Sequence, residues 1–328
     1  MRTRIIGTGS YVPERVVDNA EICRPLLIDT QAVLRLTGIR SRHWAGAKQA
    51  TSDLAEQAAR RACESAGIDP ASVEAVLLST TSPDRTLPST ACVLQSRLGL
   101  RGAAAFDLAA SCSGFLYGLS MADRFIRSGQ FRRCLVVAAE IKSRFLNLSD
   151  EATAILFSDG AGAAVVQGEE TSGVPSGVLG IHLYADGARH GLIGIPAGGS
   201  RRPTSPETIE HQEHVLRMQG GPLFRTAVKQ LAGAVSDLLK EFGYGLDDVG
   251  LAIFHQANGR LLSALGKRLG LAPEKLFSVI DRIGNPSSAS LPIALDVANR
   301  EGRLRSGDLL LLGTFGGGLT WGTGLVRW

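Results

Sequence analysis

AFDLAASCSGFLYGLSMADRF, residues 105–125, is the stretch from which the rest of the chain can be read. Residues 105–110 predict a short apolar strand carrying one acid, Asp107, and residues 111–114 are all small. Leu116, Leu119, Met121, Ala122 and Phe125 then recur at helical spacing. Cys112 therefore stands between a strand and a helix N-terminus, where the helix dipole favours a thiolate that can act as a nucleophile. Small neighbours leave room for a substrate carbonyl. The competing reading is a buried structural cysteine that packs as a small hydrophobe.

The chain has 328 residues, 44% hydrophobic and 20% charged, enough for two domains or one two-lobed body. A net charge of +4 and 5% aromatics give no basic tract with stacking rings, so nucleic acid is not an expected partner. The first residues alternate like a strand and lack a signal-peptide core, and no run approaches the ~20 apolar residues of a membrane span. Cys23, Cys63, Cys92, Cys112 and Cys134 are scattered without paired spacing. That fits a reducing, cytoplasmic setting and neither a disulfide framework nor a zinc site.

The elements alternate. Strands are expected at residues 5–11, 73–79, 105–110 and 134–139, with helices at 51–66 and 89–98; residues 20–50 read as irregular. The order repeats: a helix at 226–242, a strand at 249–254, a helix at 260–269. Asp281 opens a second strand-to-helix elbow as Asp107 opens the first. IRSGQFRRCLVV is echoed by NREGRLRSGDLLLL, and the offset stays about 174 residues. Mostly parallel sheets covered by helices follow, in two halves, 1–170 and 171–328. Under that offset Cys112 corresponds to the Asn285–Pro286 elbow. His255 follows strand 249–254 at the carboxyl end where α/β sites form. Cys, His and Asn can then converge in one cleft between the halves. Taken singly, His255 reads as a structural histidine, Asn285 as a turn residue, and GTFGGGLTWGTG (313–324) as a flexible turn. The glycines of that tail can equally bring N–H groups close to an oxyanion.

DLAASCSGF, DGAGAAV (159–165), HQAN (255–258), GNPSSAS (284–290) and FGGGLTWG (315–322) together resemble ketoacyl-acyl-carrier-protein synthase III of the thiolase superfamily, over essentially the whole chain. The resemblance implies the duplicated, five-layered α-β-α-β-α thiolase fold and a homodimer. It implies that Cys112 carries the acyl group and that the N–H groups of Cys112 and Gly317 form the oxyanion hole. His255 and Asn285 would bind the thioester carbonyl of malonyl carrier protein during decarboxylation. Leu87, Phe157 and Phe315 would line the acyl pocket, Leu87 reaching that of the partner subunit. Phe224, Arg225, Asn258 and Arg260 would receive the pantetheine arm and the acidic carrier, with Lys267 and Arg268 alongside. Phosphopantetheine thioesters are the implied substrates, CoA among them, with no cofactor. A non-decarboxylating acyltransferase on the same fold is the alternative, and a non-catalytic acyl-carrier scaffold a further one.

The chain departs from the family where acyl-CoA members clamp the nucleotide: Ala32, Leu36 and Glu151 replace a tryptophan and two arginines. Losing a stacking ring and two cations weakens CoA binding. A protein-borne acyl donor, or a different CoA pose helped by Arg35 and Arg40, is the expectation. HQEH (211–214) has ligand residue types but lies in a polar region before a helix, and no metal is expected there. DGAGAA precedes the strand AAVV instead of following one, so it is not a dinucleotide fingerprint.

Overall fold

Ten strands of the computed structural model, which describes residues 1–26, 28–170 and 176–328, fall into two five-stranded sheets. In the first, β1 (Arg2–Tyr11), β2 (Ala75–Ser79), β3 (Ala104–Leu108), β4 (Arg133–Ile141) and β5 (Asp159–Glu169) lie in the order β1-β5-β4-β2-β3. In the second, β6 (Gly177–Ala185), β7 (Leu251–Phe254), β8 (Leu276–Phe277), β9 (Leu309–Gly316) and β10 (Thr320–Arg327) lie in the order β6-β10-β9-β7-β8. The two paths are the same path traced twice. The helices match as well: α1 (Thr51–Ser65), α2 (Thr90–Arg97) and α3 (Gly114–Arg127) correspond to α4 (Gly220–Glu241), α5 (Gly259–Leu269) and α6 (Ser290–Arg300).

Three apolar cores glue five layers. Leu54, Ala58 and Ala62 of α1 and Leu94 of α2 cover the outer face of the first sheet. Leu116 and Leu119 of α3 and Ile293 and Leu295 of α6 fill the space between the sheets. Leu231, Val235 and Leu238 of α4 and Leu262 and Leu265 of α5 cover the second. Burial on both sides explains why β7 is an unbroken apolar run, and β2 one up to its last residue, Ser79, with no alternation.

Five expectations need correction. The sheets are mixed and not mostly parallel, since two of the four pairings in each are antiparallel. Residues 317–319 join β9 to β10 in a hairpin, which requires antiparallel pairing. Residues 20–50 are not irregular: Asp18 and Asp29 cap helices Asn19–Cys23 and Thr30–Thr37, and strand Ser41–Trp44 pairs with Arg15–Asp18. Ile22, Cys23, Leu26, Val33, Ile39 and Trp44 are buried while Leu36 is exposed, and the elements are too short for a period to show. DGAGAA lies inside β5 and not before it, its small side chains letting α6 lie close. Asp281 belongs to the one-turn helix Ile280–Ile283, and the elbow comes later. Ser111 and Ser287 open equivalent turns, so the offset there is 176 and Cys112 is matched by Ser288. The expected junction at 170/171 adjoins residues 171–175, outside the described residues.

Candidate active site

Cys112 sits in a single 3₁₀ turn, Ser111–Ser113, that runs from the end of β3 into α3. Ser111 holds a φ of 48°, and its counterpart Ser287 one of 51°. Left-handed backbone at two non-glycine residues is strain, and here it turns both elbows toward the same point. The Sγ of Cys112 lies 3.4 Å from the Oγ of Ser287. Gly316 of β9 closes the other side, where a Cβ would stand 2.6 Å from the Cys112 nitrogen. Burial pushes the thiol pKa up, with Ser287 and then the Lys142 ammonium working the other way. Desolvation thus opposes the thiolate expected from the helix N-terminus, and the nucleophile must lose its proton during the attack.

His255 follows β7, anchored by its N–H on the Gly313 carbonyl. Its Nδ1 is 2.5 Å from the Oγ of Ser290, which also accepts the N–H of Gln256 at 3.1 Å. Among the described residues that hydroxyl has no other acceptor for its proton, so it donates to Nδ1 and the ring proton resides on Nε2. Burial lowers the His255 pKa to about 3, which makes the imidazole a neutral donor. Asn285 is held as tightly: its Oδ1 accepts the Ser287 N–H at 2.9 Å and its Nδ2 donates to the Ala257 carbonyl at 3.2 Å. One Nδ2 hydrogen remains unused.

These three residues line one apolar cavity of about 220 Å³, together with Phe315 and Gly317. Phe157 lies on the same wall, and Phe224 and Asn258 stand near its mouth. Outside, Leu36, Phe224, Arg225, Asn258 and Arg260 frame a shallower depression, so all four residues expected to receive the arm and carrier gather there. Lys267 and Arg268 are exposed further along α5. Leu87 is 83% exposed and lines neither this chamber nor its neighbour. Glu213 of HQEH is bound by Arg202.

A second cavity of about 280 Å³ opens on the other side of Cys112, sharing Phe157, Ile193 and Gly317 with the first. Lys142 stands in its wall, its Nζ 3.0 Å from Glu140 and donating also to the Thr81 hydroxyl. The Glu140 carboxylate accepts from Ser82 Oγ at 2.6 Å, Ser288 Oγ at 2.8 Å and the Thr81 N–H at 3.1 Å. Glu140, Lys142, Ser287 and Ser290 escaped the sequence reading. A signal existed for the first two: Glu140 and Lys142 interrupt an otherwise apolar strand end in AAEIKS.

Known proteins resemble the chain in sequence and in fold. Residues 106–187 match the family described as 3-oxoacyl-[acyl-carrier-protein (ACP)] synthase III, and residues 239–328 its C-terminal part. The chain is 43% identical over 324 residues to a β-ketoacyl-[acyl-carrier-protein] synthase III of Caldanaerobacter subterraneus, covering 99% of this chain and 97% of that one. The crystal structure of 3-oxoacyl-(acyl carrier protein) synthase III from Pseudomonas aeruginosa superimposes with a TM-score of 0.92 at 36% identity, over 100% of this chain and 98% of that one. A priming β-ketosynthase from a polyketide biosynthetic pathway gives 0.91 at 34%, over 99% and 96%. By full-length identity and by fold, the chain belongs to the β-ketoacyl-[acyl-carrier-protein] synthase III family.

Proposed function

We propose that this protein catalyses the decarboxylative condensation of an acyl primer with malonyl carrier protein, the first carbon–carbon bond of a fatty-acid or polyketide-type chain. One observation carries it: the Nε2 hydrogen of a neutral His255 and the unused amide hydrogen of Asn285 share a cavity with Cys112. Two neutral donors suit an enolate oxygen, whereas a hydrolase needs its histidine as a base.

The Cys112 sulfur attacks the primer thioester. The oxyanion is held by the N–H groups of Cys112 and Gly317, and the pantetheine thiol departs with the proton. Malonyl thioester then enters past Phe224 and Asn258. Its C–C bond to the carboxylate breaks, carbon dioxide leaves, and the electron pair becomes an enolate whose charge falls on the oxygen facing His255 and Asn285. The enolate carbon attacks the acyl carbonyl, and the Cys112 sulfur leaves as a thiolate that takes a proton from solvent water. The equivalent strand orders support reading residues 1–170 and 171–328 as two halves contributing Cys112 and the His255–Asn285 pair. Arg225 and Arg260, exposed at the mouth, suit an acidic carrier. Scattered free cysteines suit a cytoplasmic setting; among the described residues no helix is long and apolar enough to cross a membrane.

The test is the intact mass of malonyl carrier protein after incubation with enzyme and a pool of CoA- and carrier-borne acyl donors, beside Cys112→Ser. A carrier that has lost carbon dioxide and gained an acyl group, only with wild type, is expected. The exposed Leu36, together with Ala32 and Glu151, in place of a nucleotide clamp makes the carrier-borne donors the faster ones. An unchanged malonyl carrier with acyl mass on another acceptor would overturn condensation in favour of simple acyl transfer.

A further inference from the structure

The wall of the second cavity carries a charge that the condensation chemistry does not use. Lys142 is only 8% exposed at its side chain, yet it lines the same chamber as Cys112, among Phe157, Ile193, Ile195 and Leu216. An ammonium has three hydrogens to donate. Glu140 takes one and Thr81 another, which leaves one for whatever occupies the chamber. An all-alkyl occupant would strip water from that hydrogen and return nothing, and an unmade bond to a buried charge is costly. A second carboxylate fits no better. Glu140 already balances Lys142, so a carboxylated occupant would bury a net negative charge. The chemistry that satisfies the site is a neutral acceptor oxygen.

We propose that Lys142 makes this chamber select acyl groups bearing a hydroxyl or keto oxygen, so that the protein loads an oxygenated short acyl group onto Cys112 in preference to a plain alkyl one. This rests on the reading of Cys112 as the acyl carrier. Glu140 is then a positioning residue: Ser82, Ser288 and Thr81 fix its carboxylate from two elements, and it fixes the ammonium in turn. The alternative is that Lys142 only neutralises Glu140 and leaves the occupant unread.

The experiment measures acylation of Cys112 by intact mass, using the wild-type protein and pantetheine thioesters of matched length: butyryl, 3-hydroxybutyryl, 3-oxobutyryl and succinyl. Wild type is expected to load at least one of the two neutral oxygenated donors about tenfold or more faster than butyryl, the scale of one hydrogen bond to a charged group. Lys142→Met is made together with Glu140→Gln so that no lone carboxylate is buried, and that protein should discriminate less than about twofold. Butyryl loading as fast as both oxygenated donors in wild type, or succinyl loading fastest, overturns the proposal even if the double variant fails to fold. Unchanged discrimination in a folded double variant overturns the role of Lys142. No adduct from any donor would sink the acyl-carrier reading itself, a distinct outcome.

Discussion

At Cys112 and His255 burial acts in one direction, against the charged form, with different consequences for each. The cysteine is kept a thiol, protected until a thioester arrives. The histidine is kept a neutral donor, and Ser290 decides which nitrogen carries the proton. The condensation rate should therefore show no histidine inflection near pH 6.5; a pH–kcat profile with an acid limb there would contradict it. Because the folded pKa of about 3 lies below the unfolded one of ~6.5, His255 stabilises the fold fully above pH 6.5 and progressively less as pH falls toward 3. Ser290→Ala frees the ring to place its proton on Nδ1. We expect it to slow decarboxylation about tenfold to a hundredfold, the range seen when a group orienting an imidazole is lost. Acylation of Cys112 should stay near wild type. Equal losses in both half-reactions would mean that Ser290 is merely structural.

At the level of elements, the two elbows are what the duplication supplies. Each is a strained serine, a 3₁₀ turn and a helix start, and each leads into one of the two central helices. Their apposition brings Ser287 to Cys112 and Ser288 to Glu140. Gly114, the first residue of α3, is packed so tightly that a Cβ would lie 1.8 Å from the Ser79 Oγ and 2.8 Å from its Cβ. Gly114→Ala should cost about 2–3 kcal/mol by overpacking, seen as a lower denaturant midpoint. Ser79→Gly, which removes the opposing atoms, should recover part of it. A Gly114→Ala protein as stable as wild type would show that α3 can shift, and that the elbow is less constrained than its backbone strain indicates.

For the molecule as a whole, β3 is the outermost strand of the first sheet, half-buried along its length and unpaired on one side among the described residues. An apolar edge of this kind is a template for another strand, and Leu87 stands exposed on the same half. We propose that a second copy of the chain covers this edge and that each copy's Leu87 reaches toward the other's acyl chamber. Light scattering should give twice the 34.6 kDa of one chain. A charged substitution in β3, Ala105→Lys, should shift the mass toward the monomer and slow acylation. A monomeric, fully active wild type would remove the partner from the site.

The alternation of apolar strands with capped helices, its recurrence about 174 residues later, and Cys112 at a strand-to-helix elbow were all legible in the chain, because they are local patterns of period and punctuation. So was the convergence of Cys112, His255 and Asn285, since a duplicated α/β path forces equivalent strand ends together. Residues 20–50 were not legible, because their buried side chains are spread over two short helices, a strand and the turns between them and leave no period to read. Nor was the antiparallel half of each sheet, which the hairpin and the return of the chain decide. The partners of the catalytic groups lay furthest from reach. Ser290 sits 35 residues from His255, Ser287 sits 175 from Cys112, and Ser288 sits 148 from Glu140. The first pair meets where α6 starts beside the end of β7, and the other two only where one half packs against the other; no spacing along the chain encodes either.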